Sequence, residues 1–189
     1  MDEVSGITEE AFKTPLPVPD DHHVYRQTHF EHLDKESKRY PKASHFKLRE
    51  GEEELSVNWD AHATVEEVFC LIGISHNAKQ EFKDYTKFKV FKLEVDFLRK
   101  LNGVEKVVHS PVFNGNPAPV GKPNIYAHAS VYYPDDEEIR KKLSNYCNED
   151  YANKHCQADF ALLETVVQTL RNRLNNTPYH RCTKEAPES

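Results

Sequence analysis

The residues able to do chemistry in this 189-residue sequence form two sets, a strand-end constellation and an unusual number of histidines. The constellation begins with Tyr25-Arg26 and His29, continues through Ser56 and Asn58, and reaches Glu66-Glu67. His109-Ser110-Pro111-Val112, the Asn114–Asn116 turn and His128 complete it. An arginine and a histidine at one strand end suit a phosphate or a ribose, because a guanidinium offers anionic oxygen a planar fork of donors. A strand hydroxyl such as that of Ser56 can hold a sugar, and a carboxylate can polarise a 2′-hydroxyl or act as a base. Arg26, His29, Ser56 and His128 are therefore candidates for ligand binding, and Glu66, Glu67 and His109 for catalysis. That is the inventory of an NAD-cleaving site, which makes NAD the candidate substrate. Each member also has a plainer explanation. Thr64 to Glu67 reads as a helix cap, Ser56 as an outward strand residue, and Arg26 as the answer to an acidic neighbour.

The histidines are His22, His23, His29, His32, His45, His62, His76, His109, His128, His155 and His180. Imidazole is a common zinc ligand, so their number raises a metal hypothesis. Their spacing does not support it, since no histidine pairs with cysteine or carboxylate at a tight, recurring interval. We assign no metal site and read these histidines as surface or locally hydrogen-bonded residues. The four cysteines (Cys70, Cys147, Cys156, Cys182) show no C-x-x-C spacing. Cys70 lies in an apolar run, where a thiol behaves as a small hydrophobe. No Gly-rich phosphate loop, G-x-S-x-G elbow or H-E-x-x-H is present. This weighs against a nucleoside triphosphatase, a Rossmann dehydrogenase, an α/β-hydrolase and a zincin.

Alternating apolar positions predict five strands, over 24–29, 55–59, 88–95, 104–112 and 125–133. Pro111 should push the fourth of these toward a sheet edge. Thr64 opens a helix through a capping box with Glu67, and Asp135 caps a second that runs to about Cys147. A third, near 157–174, carries Phe160, Leu163, Val167, Leu170 and Leu174 on one side. Strands and helices in no regular β-α-β order argue for an α+β domain with a mixed or largely antiparallel sheet. The stretch 30–54 is polar and reads as a long irregular connection, a kind of loop that is often functional. Residues 1–21 read as an acidic, Pro-rich arm, with Pro15, Pro17 and Pro19 favouring an extended surface path and a short amphipathic candidate at Ile7–Phe12. The domain proper is read over 22–176 and a flexible tail over 177–189.

The formal charge of −6 is unevenly placed. Six acids and one base fall in the first 21 residues, so the remaining chain is close to neutral. Strong nucleic-acid binding is not expected, because it needs clustered Lys and Arg. The most basic stretch, Lys79 to Lys106, reads as a solvated face. No apolar signal segment or membrane-length run is visible, and a reducing cytoplasm is the expected compartment.

Taken in order, Y-R-x-x-H (25–29), the polar stretch with Phe46, L-S-V (55–57), T-x-E-E (64–67) and H-x-P-V (109–112) resemble a family of small uncharacterised bacterial proteins. The resemblance spans roughly residues 24–132. In that family the last motif is expected to run H-x-P-V-x-x-N-P-A-H, whereas Gly115 to Ile125 here separate Asn114 and Asn116 from His128. More distantly, the strand arginine, the strand serine and the later glutamate are similar to ADP-ribosyltransferases and RES-type toxins. That resemblance implies an NAD-handling fold and maps Arg26, Ser56 and Glu66 or Glu67 onto the group's functional positions. The G-R-W-N element of RES proteins is missing, and Asn58-Trp59 is a reversed echo of it. The expectation is an effector or accessory protein of a bacterial conflict or toxin-type system, with a protein partner. One alternative is a non-enzymatic binding module (an antitoxin, inhibitor or adaptor) whose acidic arm docks a basic partner. A second is a metal-dependent nuclease.

Overall fold

The computed structural model of this protein describes residues 13, 15–115 and 118–173. Its strands are Leu16–Pro17 (β1), His23–His29 (β2), Glu54–Trp59 (β3), Phe88–Glu94 (β4), Lys106–His109 (β5), His128–Tyr132 (β6) and His155–Cys156 (β7). They form one sheet in the order β1-β5-β6-β3-β2-β4-β7, and every pairing is antiparallel. The helices are Val65–Ile74 (α1), Val95–Lys100 (α2), Glu137–Asn148 (α3), Tyr151–Lys154 (α4) and Phe160–Arg173 (α5). The α+β class with an antiparallel sheet agrees with the sequence, but the described residues hold seven strands and five helices where five and three are expected. The two extra strands are two-residue edge pairings, too short to carry a period of two.

One of these edges changes the reading of the arm. Leu16 and Pro17 pair with His109 and Val108, the Val18 amide donates to the Val107 carbonyl, and Val18 is fully buried. Proline is tolerated here because an edge strand need not donate on its outer side. The arm expected over 1–21 thus ends as part of the sheet, and it covers the edge to which Pro111 should have driven β5. The helix candidate Ile7–Phe12 and the tail 177–189 lie outside the described residues.

The sheet buries both faces. Val24, Leu55, Val57, Phe91, Leu93, Val107, Ala129 and Val131 share a core with Ile139, Leu143 and Cys147 of α3. Val90 packs on the opposite face with Val68, Phe69 and Ile72 of α1 and Leu163 and Val167 of α5. Gly73 sets the approach of these two helices, since a Cβ there would lie 2.8 Å from Val167 Cγ1. α1 begins at the expected capping box, with the Glu67 amide donating to Thr64 Oγ1 and the Thr64 amide to Glu67 Oε2. The cap of α3 is Asp136 rather than the expected Asp135. Asp135 instead pairs with Arg140 and accepts the Leu48 amide. Among the described residues no helix is long and apolar enough to cross a membrane.

The polar stretch between β2 and β3 is ordered by a few anchors rather than by periodicity. Leu33, Phe46 and Leu48 are buried against the α3 side of the sheet. Single-turn 3₁₀ segments at Phe30–His32 and Ala43–Phe46 space these anchors. Tyr133 donates its hydroxyl to the Phe46 carbonyl, and Ser144 donates to that of Pro41. Burying the Phe46 ring contributes about 2–3 kcal/mol, enough to hold this crossing segment onto the sheet.

Candidate functional site

β2 and β3 are neighbours that pair at only two positions, Val24 with Trp59 and Tyr25 with Asn58. Their outer edges are fully engaged, β2 with β4 over seven residues and β3 with β6 over five. Beyond Tyr25 the two strands therefore diverge while the sheet stays continuous on either side. A cavity of about 560 Å³ opens at this end, lined from β2 by Arg26, Gln27 and His29 and from β3 by Glu54, Leu55 and Ser56. The crossing segment adds His32, Ser44, His45, Lys47, Leu48, Arg49 and Glu52, and Lys83 and Phe88 complete the wall. The volume falls in the range of small-molecule sites.

The guanidinium of Arg26 stands where the strand ladder is interrupted. Its Nη1 donates to the Ser56 carbonyl at 2.7 Å, and its Nε donates to His45 Nε2 at 3.2 Å. Nη2 has no protein partner among the described residues, and it is not sealed from solvent. No carboxylate of a described residue lies within ion-pair distance of this guanidinium. Burial pushes the Arg26 pKa down to about 10, with the nearby Arg49 charge adding to the effect. Burial and Arg49 also lower the pKa of Lys83. Arg26, Lys47, Arg49 and Lys83 thus face two carboxylates, Glu52 and Glu54, and one of those, Glu52, is paired with Arg49 at 3.6 Å. Excess positive charge in a partly desolvated cleft raises the energy of the empty site and lowers that of one filled by an anion.

Three histidines edge the cleft. His45 Nε2 accepts from Arg26 and also from the buried Thr28 hydroxyl at 3.0 Å. Burial, then the Arg26 charge, pulls the His45 pKa down to about 2, so the ring is neutral. His32 stacks on His45 with ring centres 5.1 Å apart, and burial followed by the neighbouring His29 lowers its pKa. His29 Nδ1 accepts the Glu31 amide. A neighbouring cavity of about 310 Å³ shares Leu48 and Glu52 with the cleft but has the opposite character, with Glu53, Glu105 and Asp135 on its wall.

Of the residues singled out in the sequence, the fold brings Arg26, His29 and Ser56 into this one cleft. Glu66, Glu67, His109 and His128 do not line it. Glu67 closes the α1 capping box. Glu66 lies close enough to Tyr25 and Cys156 for its charge to help raise both pKa values, to about 12 and about 11, after burial as the main cause. His109 is buried, with Nε2–H donating to the Tyr126 carbonyl at 2.5 Å and its ring against those of Trp59, His62 and Tyr126. His128 donates from Nδ1 to the Ser110 carbonyl at 2.7 Å. Burial lowers the pKa of both histidines. Asn114 closes its own loop, taking the Asn124 side-chain oxygen on its amide, and Asn116 lies outside the described residues.

Sequence reading missed Thr28, His45, Lys47, Arg49, Glu52, Glu54 and Lys83. Its usable signal was the length of the 30–54 connection, which supplies much of the cleft wall. Among the described residues no group of three or more His, Cys, Asp or Glu side chains is arranged to hold a metal ion. Cys70, Cys147 and Cys156 are free thiols, and burial raises the pKa of Cys147 to about 12, which suppresses the reactive thiolate. No family model, curated protein or solved structure matches this chain.

Proposed function

We propose that the cleft between β2 and β3 binds a phosphate-bearing ligand, and that ADP-ribose and NAD are the members of that class to test first. The observation that carries this reading is Arg26, a partly desolvated guanidinium that, among the described residues, has no carboxylate partner and no partner for Nη2 at the cavity. Arginine presents phosphate with a fixed pair of donors, and a charge-assisted bond in a water-poor cleft is stronger than one at the surface. Lys47, Arg49 and Lys83 supply charge for a second phosphate, and the Ser56 hydroxyl serves a ribose. The carboxylates available to a ribose inside the cleft are Glu52 and Glu54, whereas Glu66 and Glu67 belong to the start of α1. The protein would then act as an ADP-ribosyl-handling effector or accessory of a bacterial conflict system.

A thermal-shift panel of AMP, ADP-ribose, NAD and pyrophosphate tests the binding, together with an assay of nicotinamide release from NAD. Stabilisation by the phosphate compounds but not by nicotinamide or ribose is expected, and it should disappear in Arg26→Gln. Equal stabilisation of both proteins would place the ligand elsewhere, and no stabilisation by any phosphate compound would end the reading. Binding without nicotinamide release would retain the ligand class and remove the NAD-cleaving activity.

A further inference from the structure

We infer that His45 is the positioning residue of the cleft: a neutral acceptor that holds Arg26 in its anion-binding orientation without cancelling its charge. The inference rests on reading the cleft as an anion site.

An arginine side chain carries about 2 kcal/mol of rotamer entropy, so a guanidinium that binds tightly must be fixed before its ligand arrives. The common protein solution is a carboxylate, which fixes the fork and neutralises it together. Arg26 is fixed differently. Its two bonds go to the Ser56 carbonyl and the His45 imidazole, and neither acceptor carries charge. The divergence of β2 from β3 supplies the first, because it leaves the Ser56 carbonyl facing the gap. The crossing segment supplies the second. Two edges of the guanidinium are occupied, the charge is undiminished, and Nη2 is left for a ligand.

The imidazole can play this part only while Nε2 keeps its lone pair, and its surroundings enforce that. The Thr28 hydroxyl and Arg26 Nε both donate to that nitrogen, and a proton there would face the Arg26 cation. The ring is held in place from several elements. His32 stacks on one side, the Phe46 ring meets it edge-on with centres 5.5 Å apart, and Tyr133 pins the Phe46 carbonyl. The titratable neighbours of His45 are thus Arg26 on β2 and His32 on the preceding turn, with His29 acting on His32.

Three substitutions separate positioning from mere packing. His45→Gln keeps a neutral acceptor, His45→Leu keeps volume without an acceptor, and His45→Glu keeps the acceptor but neutralises Arg26. Titration calorimetry with inorganic pyrophosphate is expected to show Gln within about threefold of wild type. Leu and Glu should both lose about tenfold or more, with Glu losing affinity even where its melting temperature is unchanged. The Arg26 Nε–H resonance in ¹H–¹⁵N spectra of the unliganded proteins should stay protected from exchange in Gln and Glu and be lost in Leu. Wild-type affinity in the Glu variant, or a protected Nε–H in the Leu variant, would overturn the inference. If wild-type protein takes up no pyrophosphate while the Nε–H pattern holds, the anion-site reading is what has failed.

Discussion

The two ends of the β2–β3 pair make opposite use of the same residue types. At the paired end, Asp60 sets its two oxygens 3.3 and 3.2 Å from the Nδ1 atoms of His22 and His23. The Trp59 indole N–H donates to His22, and the rings of Trp59, His62, His109 and Tyr126 pack on one another. The cluster is built around the buried Trp59 and His109, while His22, His23 and Asp60 at its rim stay part-exposed. At the divergent end, no carboxylate pairs with Arg26 and no group bonds its Nη2 among the described residues, and further cations line the wall. A crowd of histidines is therefore a weaker pointer to a ligand than one half-buried charge with no counter-ion among the described residues. The paired end should govern stability and the divergent end should govern binding.

The largest expected effect is at the paired end. Trp59→Ala removes a buried ring and should cost about 3–5 kcal/mol in urea unfolding, while leaving anion affinity per folded molecule unchanged. Loss of affinity in a protein that is still folded would blur the division between the two ends. At the divergent end, Arg26→Gln should weaken pyrophosphate binding at least about tenfold, worth about 1.4 kcal/mol, with a smaller change in the urea midpoint. Raising salt from about 0.05 to about 0.5 M should weaken both proteins, the Gln variant with a shallower slope because Lys47, Arg49 and Lys83 remain.

Acid sharpens the comparison, because it acts at both ends. His45, His109 and His128 have pKa values lowered by burial, so the unfolded chain takes up protons at these positions before the folded one does. Their contribution to stability is complete above the unfolded value of about 6.5 and is lost as pH falls below it, at up to about 1.4 kcal/mol per pH unit for each. Urea midpoints measured at pH 7.5 and pH 5 should fall accordingly, and less steeply in His45→Gln. A flat profile would mean that these rings are not kept neutral. The smallest effect is outside both regions. Glu67→Gln perturbs one half of a capping box and should cost about 0.5–1 kcal/mol with no change in anion binding.

These contrasts also show what a sequence can carry. Phe91 and Leu93 on β4 announce their face by alternation, and Thr64 with Glu67 announces a helix start, because both signals are local. The pairing of Leu16–Pro17 with β5 was hidden, since alternate prolines read as a free extended path. Arg26, His29 and Ser56 could be suspected together because they sit on strands that became neighbours. Glu66 and Glu67 follow them closely in sequence but start a helix that leaves the cleft. Nothing in the spacing of Ala43–Phe46 reveals that His45 will reach Arg26. That contact depends on Phe46 docking under Tyr133, a partner 87 positions away.

Equilibrium dialysis of ADP-ribose against wild type and Arg26→Gln, at low salt and neutral pH, tests the central claim most directly. Saturable binding near one ligand per chain in the wild type, weakened about tenfold or more in the variant, is the predicted result. Equal binding by the two proteins, or none by either, would contradict it.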